Sequence, residues 1–199
     1  MKSFFIYLLA LMVITIQYSC KKNSNPIVDN SDTGGSLWPF QTSNTWIFRT
    51  MVYDTLGVIT STSYDTIFVG WDTTISGQQW FQVIEKNVFW TNKTDGVWQI
   101  VFGGVNQSPQ LLFKYPANVG DHWTTRDGQV SIVSTNISIS IGTSTYGCYE
   151  YTWDYGSGHT ENDYFKSGVG PIIMEEFTRT IAGSPYKVYR RELISYTLK

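Results

Sequence analysis

Short β-type segments separated by turn-forming residues run through most of the sequence. The clearest is 136–142, in which Ile137, Ile139 and Ile141 alternate with serine. β-branched residues at every second position predict a strand with one buried face. The other predicted strands are 46–53, 63–71, 78–85, 88–91, 97–102, 110–115, 122–126, 129–134, 146–155, 160–166, 172–179 and 186–198.

The connections between these segments are short and contain glycine, aspartate or serine. Ser76-Gly77, Arg126-Asp127-Gly128 and Gly156-Ser157-Gly158 are examples. Residues of these types suit tight turns between neighbouring antiparallel strands. We therefore predict an all-β fold, an antiparallel meander of about 10–12 strands. A sheet of that size curls, so a strongly curved sheet, a half-barrel or a barrel is expected.

One nine-residue pattern occurs twice, at 38–46 and at 115–123. Each copy runs aromatic residue, Pro, three residues, small residue, Asn or Asp, any residue and Trp. Pro has a fixed φ, and a small residue before Asn or Asp suits a tight turn. Each copy is therefore predicted to be a corner that starts a strand, with Trp46 and Trp123 buried in equivalent positions.

Residues 1–19 have the layout of a bacterial lipoprotein signal peptide, with a basic Lys2, an apolar run and Ser19 directly before Cys20. In such proteins the Cys accepts a diacylglycerol group, so Cys20 is the predicted lipidation site and mature N-terminus. An ordinary secretory signal with an incidental cysteine is the alternative. Residues 20–36 are then a lipidated Cys with a flexible polar tether, and 37–199 form a single all-β domain.

A lipid anchor predicts a location in the cell envelope, at the outer membrane. The 14 Lys and Arg and 16 Asp and Glu residues form no basic cluster in the predicted domain, so no nucleic acid is expected as a partner. With Cys20 as the anchor, Cys148 has no intramolecular disulfide partner. We expect Cys148 to be packed as an apolar residue, the alternative being a lone thiol, and the protein to be a monomer.

Three features in this order resemble a group of uncharacterised bacterial secreted proteins and lipoproteins: the two corners, the segment 141–150 (IGTSTYGCYE) and the segment 164–172 (YFKSGVGPI). That group carries Phe-Pro-(x)3-Gly-(x)2-Trp, then Gly-Thr-(x)n-Tyr/Phe-x-x-Cys, then Tyr-Phe-(x)2-Gly-Val-Gly. The present sequence departs at Ser43, where the first corner lacks Gly, and at Pro171, where an aliphatic residue is more usual. The resemblance implies a LolA/LolB-like or half-barrel sheet and no established activity.

No catalytic or cofactor-binding motif occurs in the sequence, which lacks Gly-x-Ser-x-Gly, a phosphate-binding glycine loop and Cys-x-x-Cys. We therefore expect no enzymatic activity and no cofactor. One strand places His159, Glu161 and Asp163 on one face, where they could contribute to a divalent metal site. A polar, solvated strand face is the favoured interpretation, so no metal is expected.

The aromatic residues provide a better functional candidate. Tyr149, Tyr151, Trp153 and Tyr155 fall on one face of their predicted strand. This stripe either packs the core or lines a groove for an apolar or amphipathic ligand, with Tyr151 and Trp153 buried and Tyr155 near the rim. The predicted function is therefore a non-enzymatic binding module or carrier. The alternative is a structural or interaction lipoprotein, bound to another envelope protein, without a small-molecule site.

Overall fold

The computed structural model describes residues 35–83, 88–101, 108–179 and 183–199. The predicted signal peptide, Cys20 and most of the tether lie outside the described residues. Within the described ranges there is no helix that could span a bilayer. The strands are β1 (Thr45–Tyr53), β2 (Ile59–Ile75), β3 (Gln78–Val83), β4 (Val88–Lys93), β5 (Gly96–Ile100), β6 (Gln110–Lys114), β7 (His122–Thr124), β8 (Gln129–Ile141), β9 (Ser144–Gly156), β10 (His159–Lys166), β11 (Gly170–Arg179) and β12 (Pro185–Thr197).

These strands form one antiparallel sheet in the order β6-β5-β4-β3-β2-β1-β12-β11-β10-β9-β8-β7. Strands β1 to β6 pair each with the next, and so do β7 to β12, so each half is a meander. The halves join at the centre of the sheet, where β1 pairs with β12. The prediction of an all-β antiparallel sheet is confirmed, and the sheet is not closed into a barrel.

Two details differ from the prediction. Segments 129–134 and 136–142 belong to one strand, β8, in which irregular pairing on both sides of Ser134 replaces the predicted break. A simple meander also places β6 beside β7, but these strands stand at opposite ends of the strand order. Their connection, 115–121, can span at most about 25 Å, so the sheet has to curl until its two ends approach each other.

Side chains connect the two ends of the curled sheet. We call the place where β6 and β7 meet the β6/β7 seam. The indole N–H of Trp123 donates a hydrogen bond to the Leu111 carbonyl at 3.2 Å. The Lys114 ammonium lies 2.8 Å from the Asp121 carboxylate, and the Tyr151 hydroxyl donates to the Lys114 carbonyl at 2.8 Å. Backbone ladders between described residues do not include one across this seam.

The two predicted corners have the same backbone hydrogen bonds. In the first corner the Ser43 N–H donates to the Val69 carbonyl at 2.8 Å, and the Val69 N–H donates to the Asn44 carbonyl at 3.0 Å. The equivalent bonds of the second corner, at 2.9 Å each, run from Gly120 N–H to Ile132 and from Ile132 N–H to Asp121. The φ angles of Ser43 and Gly120 are 76° and 89°. Ser43 therefore keeps the left-handed backbone that the second corner builds with glycine.

The tryptophans that end the corners differ in burial. Trp46 is 0% exposed, and its indole N–H donates to the Val169 carbonyl at 2.6 Å. Trp123 is half-buried. The prediction of two equivalent buried tryptophans is thus confirmed for their backbone position and wrong for the burial of Trp123. The reason is that β1 lies at the centre of the sheet, whereas β7 is an edge strand.

The first described residues, 35–44, run across the concave side of the sheet and fill part of it. The ring centroid of Trp38 lies 4.8 Å from that of Trp90, 5.6 Å from Trp46 and 5.6 Å from Phe165. Gly170 has a φ of 105°, and a Cβ at this position would come within 2.8 Å of the Trp38 ring. The turn before β11 therefore needs glycine to seat Trp38, which is a structural role.

Candidate ligand-binding cavity

A cavity of about 220 Å³ lies on the concave side, between β5 and β6 on one side and β9, β10 and β11 on the other. Its walls are mostly aromatic: Trp38, Trp90, Phe113, Trp153, Tyr155 and Phe165. Aliphatic and thioether side chains complete the apolar part: Ile67, Leu112 and Met174. Its polar side chains are Gln99, Asp127, Glu161 and Asp163. A mostly apolar cavity lined by a few polar groups is a typical small-molecule site.

The predicted aromatic stripe lies on the concave face, but only part of it reaches the cavity. Tyr151 is 0% exposed and Trp153 is 6% exposed, whereas Tyr149 and Tyr155 are half-buried. This is the gradient of burial that the sequence predicts for the inner residues and the rim. Trp153 and Tyr155 line the cavity, and their rings stack with centroids 6.0 Å apart. The role of the four residues in ligand binding stays a prediction.

Tyr151 is a core residue that holds two parts of the sheet together. Its ring packs edge-on against Phe113, Trp123 and Phe165, with centroids 5.1, 6.3 and 5.7 Å away. Burial, and then the neighbouring Tyr149, raise the pKa of Tyr151 well above its ordinary value, so its hydroxyl stays protonated. It therefore remains a donor to β6 across the seam.

Two tyrosine hydroxyls hold Glu161 at the cavity. Tyr155 donates to Oε2 at 2.7 Å, and Tyr189 donates to Oε1 at 3.2 Å. Burial, followed by the charge of Glu161, raises the pKa of Tyr155 and of Tyr189. Both hydroxyls therefore remain donors to the carboxylate.

Glu161 and Asp163 face the interior of the curled sheet. Their cross-strand partners are Trp153 and Tyr151, and partners across an antiparallel ladder share one face. Asp163 is 4% exposed. The prediction of a solvated polar face is wrong for these two residues, because the curl of the sheet turns that face of β10 inward.

His159, the third member of that predicted face, has other partners. Its Nε2 lies 2.7 Å from Oε1 of Glu176, and its ring lies 4.9 Å from that of Tyr155. Among the described residues, no group of three His, Cys, Asp or Glu side chains is arranged to hold a metal ion. His159 is thus a neighbour of the cavity rather than part of its lining.

Three tryptophans of the cavity wall have unpaired indole N–H groups among the described residues. The indole nitrogens of Trp38, Trp90 and Trp153 are buried and have no hydrogen-bond partner among the described residues. A buried donor left unpaired costs roughly 1–3 kcal/mol.

The cavity opens beside the β6/β7 seam. Asp127 is exposed in the turn between β7 and β8, and Gln99 and Tyr155 are half-buried. Gln110 bridges this region, since its Nε2 donates to Oε1 of Gln99 at 3.0 Å and its Oε1 accepts from the Arg126 N–H at 3.0 Å. One side chain therefore joins β5 to the turn after β7.

A second, larger groove of about 710 Å³ lies where the described chain begins, beside Gly35, Lys93 and Tyr115. Its lining mixes backbone, polar and apolar groups and has neither clustered aromatic rings nor clustered charge. Size alone does not make a binding site. The smaller cavity has mostly aromatic walls and a few polar side chains, which is the usual composition of a small-molecule site.

Sequence reasoning located one wall of the smaller cavity and missed the others. Trp38, Trp90 and Phe113 come from distant strands, and no local pattern brings them to Trp153. A signal did exist for Trp38, which belongs to the repeated corner. In the sequence, Glu161 stands out only through its spacing from His159.

Cys148 has a structural role. It is 0% exposed, and burial raises the pKa of its thiol to about 12. The prediction that it packs as an apolar residue is confirmed.

No protein-family model matches this sequence, and no curated protein matches it. The fold is similar to that of a "putative lipoprotein" from Parabacteroides distasonis, with 11% identity over 82% of this chain and 99% of that chain and a TM-score of 0.47. It is also similar to a "putative exported protein with YmcC-like fold" from Bacteroides fragilis, with 8% identity over 82% of this chain and 100% of that chain and a TM-score of 0.43. Similarity at this level carries no inference about ligand or activity.

Proposed function

We propose that this protein is a lipid-anchored, non-enzymatic binding protein of the cell envelope that takes a small amphipathic ligand in the cavity between β5–β6 and β9–β11. The observation that carries the proposal is the cavity itself. Aromatic rings form most of its walls, its lining includes a few polar side chains, and it opens beside the seam. These are the features of a site that holds an apolar body and a polar head.

The size of the cavity limits the size of the ligand that can enter it. Trp38 and its aromatic neighbours occupy much of the concave face, so a long acyl chain has no continuous groove there. About 220 Å³ corresponds to roughly seven water molecules at about 30 Å³ each. The ligand, or the part of it that enters, is therefore a head group with a few carbon atoms.

The proposed anchor rests on the sequence before the described residues. Acylated Cys20 would hold the domain at a membrane. We propose that this is the outer membrane, with the domain on either its surface face or its periplasmic face. The measurement is the mass of the N-terminal peptide of the mature protein. A peptide that begins at Cys20 and carries acyl mass is expected, and an unmodified peptide, or a start at another residue, would contradict the anchor.

Native mass spectrometry of the purified mature protein tests the binding function. We expect a small-molecule adduct on the wild type that is lost in Gln99→Trp, because the larger ring occupies the mouth. Gln79→Trp is the matched control, since Gln79 is exposed on β3 and lies outside the cavity lining. A wild type without an adduct, or equal adducts on both variants, would contradict the proposal.

A structural or interaction lipoprotein is the second candidate. It is favoured by Tyr151, which is fully buried and bonded to β6, so core packing accounts for it without a ligand. On this alternative the protein is a monomer that contacts another envelope protein, and the cavity is a packing defect. Absence of any adduct together with full stability of Gln99→Trp would support it.

A further inference from the structure

The charged side chains that line the cavity are all acidic. Its described lining includes the carboxylates of Asp127, Glu161 and Asp163 and contains no lysine, arginine or histidine. Two nearby cations have carboxylate partners of their own, since Arg191 pairs with Asp65 at 3.0 Å and His159 with Glu176. The lining therefore presents negative charge to an occupant.

Glu161 is placed to keep that charge. Its described partners are the hydroxyls of Tyr155 and Tyr189, which donate to one carboxylate oxygen each. Neutral donors stabilise a carboxylate but do not cancel its charge. The Glu161 carboxylate can therefore attract a cationic ligand by its charge alone.

The aromatic walls suit a cation. The stacked pair Trp153 and Tyr155 forms one side, and Trp38 and Trp90 meet edge to face with centroids 4.8 Å apart. The faces of such rings attract ammonium groups, most strongly where water is excluded. Ile67, Leu112 and Met174 provide an uncharged surface for a short alkyl part.

We propose that the cavity binds the ammonium group of a cationic amphiphile, with the charge beside Glu161 and Asp163 and the alkyl part against the apolar wall. This inference rests on the proposed binding function and names the chemical class of its ligand. A cation beside Glu161 is attracted by its carboxylate, a neutral ligand gains no such attraction, and an anionic ligand is repelled.

Three probes with one tail test the charge preference: hexyltrimethylammonium, hexanol and hexanoate. Their dissociation constants are measured by calorimetry on the mature protein in phospholipid nanodiscs, with empty nanodiscs subtracted. We expect hexyltrimethylammonium to bind at least tenfold more tightly than hexanol, and hexanoate to bind most weakly. Hexanol or hexanoate binding as tightly as the ammonium probe would overturn the inference and leave the proposed function standing. No binding of any probe would overturn both.

Glu161→Gln tests the residue assignment. It should weaken ammonium binding about tenfold and leave hexanol binding unchanged. Glu150→Gln is the matched control, because Glu150 also accepts a tyrosine hydroxyl, that of Tyr164 at 3.2 Å, but lies outside the cavity lining. Equal losses in the two variants, or no loss in Glu161→Gln, would overturn the assignment.

A second variant covers the case in which Glu161→Gln fails to fold. Asp127 is exposed in a turn at the mouth, so Asp127→Asn should fold normally. It should weaken ammonium binding two- to threefold, and the loss should shrink in high salt. An unchanged affinity for the ammonium probe at low salt would count against the inference.

Discussion

The two corners of this protein share their backbone hydrogen bonds, but the strands that follow them are joined differently. We call the β1/β12 pairing the first seam and the β6/β7 seam the second. At the first, β1 pairs with β12 in a backbone ladder that runs from Thr45 to Val52. At the second, the three residues of β7 pair only with β8, and β7 reaches β6 through side chains. Corners with the same backbone hydrogen bonds therefore lead once to a ladder and once to an open seam.

The difference shows that a corner decides where a strand begins but not what the strand will pair with. Strand β1 has nine residues and β12 has thirteen, which is enough for a long ladder. Strand β7 has three residues. Because the second seam lacks a ladder, the curled sheet keeps an opening there, and the candidate cavity lies beside it.

The largest expected effect comes from the two corner tryptophans. Trp46→Ala should lower the free energy of unfolding by about 3–5 kcal/mol, because it leaves a cavity at the centre of the core. Trp123→Ala should cost only about 1–3 kcal/mol, since that ring is only partly buried. Urea denaturation of both variants measures the difference. Equal losses would mean that the two seams contribute equally to stability.

Acid should affect the first seam more than the second. Burial opposes ionisation of Glu192, but hydrogen bonds from Arg49 and Arg190 outweigh it and lower the pKa of its carboxyl. At the second seam the Asn118 N–H, and then Lys114, lower the pKa of Asp121, whose side chain is more exposed than that of Glu192.

In both cases the pKa is lower in the folded than in the unfolded protein, where it is about 4. The stabilisation is therefore fully present above the unfolded pKa and is lost as the pH falls through the folded pKa. Glu192→Gln should cost about 1–2 kcal/mol at pH 7 and flatten the loss of thermal stability between pH 5 and pH 3. Asp121→Asn should change the same profile less, because water screens its ion pair. A steeper change in Asp121→Asn would reverse this ranking of the seams.

Exchanging the small residue of the two corners should give effects of opposite sign. Gly120→Ala forces a Cβ into the left-handed backbone and should destabilise by about 1 kcal/mol, although no atom lies within 4 Å of that Cβ. Ser43→Gly relieves the same strain, offset by the greater freedom of glycine in the unfolded chain, so it should be neutral or stabilising by up to about 0.5 kcal/mol. Thermal melts of the two variants provide the comparison. A clear loss of stability in Ser43→Gly would show that the serine side chain contributes more than its backbone costs.

The smallest expected effect concerns Gln110 at the open seam. Gln110→Ala should change global stability by less than about 0.5 kcal/mol, but it removes the acceptor of the Arg126 N–H and should speed hydrogen exchange of that amide. Gln79→Ala is the control, because Gln79 is an exposed glutamine bonded to Asp72 on the first half of the sheet. Unchanged exchange at Arg126 would mean that the second seam does not depend on this bridge.

Much of the local structure could be predicted from the sequence. Alternation in 136–142 marked a half-buried strand, and the structure has Ile137, Ile139 and Ile141 half-buried between exposed serines. The two corners were found because Pro, a small residue and Asn or Asp restrict the backbone through neighbouring residues only. The stripe on β9 was found because side chains in any strand alternate between its two faces.

The candidate site could be predicted only in part. Trp153 and Tyr155 were expected near a groove, and both line the cavity. Glu161 was assigned to a solvated face, because the sequence does not show which face of β10 the curled sheet encloses. Trp38 was assigned to a turn, although its ring fills the concave side.

The strands, the two corners and the alternation of side chains between faces can be read from the sequence, because they depend on contacts between residues close in the chain. The pairing of β1 with β12, the meeting of β6 and β7 without a ladder, and the hydrogen bond from Tyr189 to Glu161 are visible only in the folded chain. These contacts join distant segments, and their formation depends on the curl of the whole sheet and on irregular pairing within it. The candidate cavity lies where such long-range contacts leave the interior unfilled.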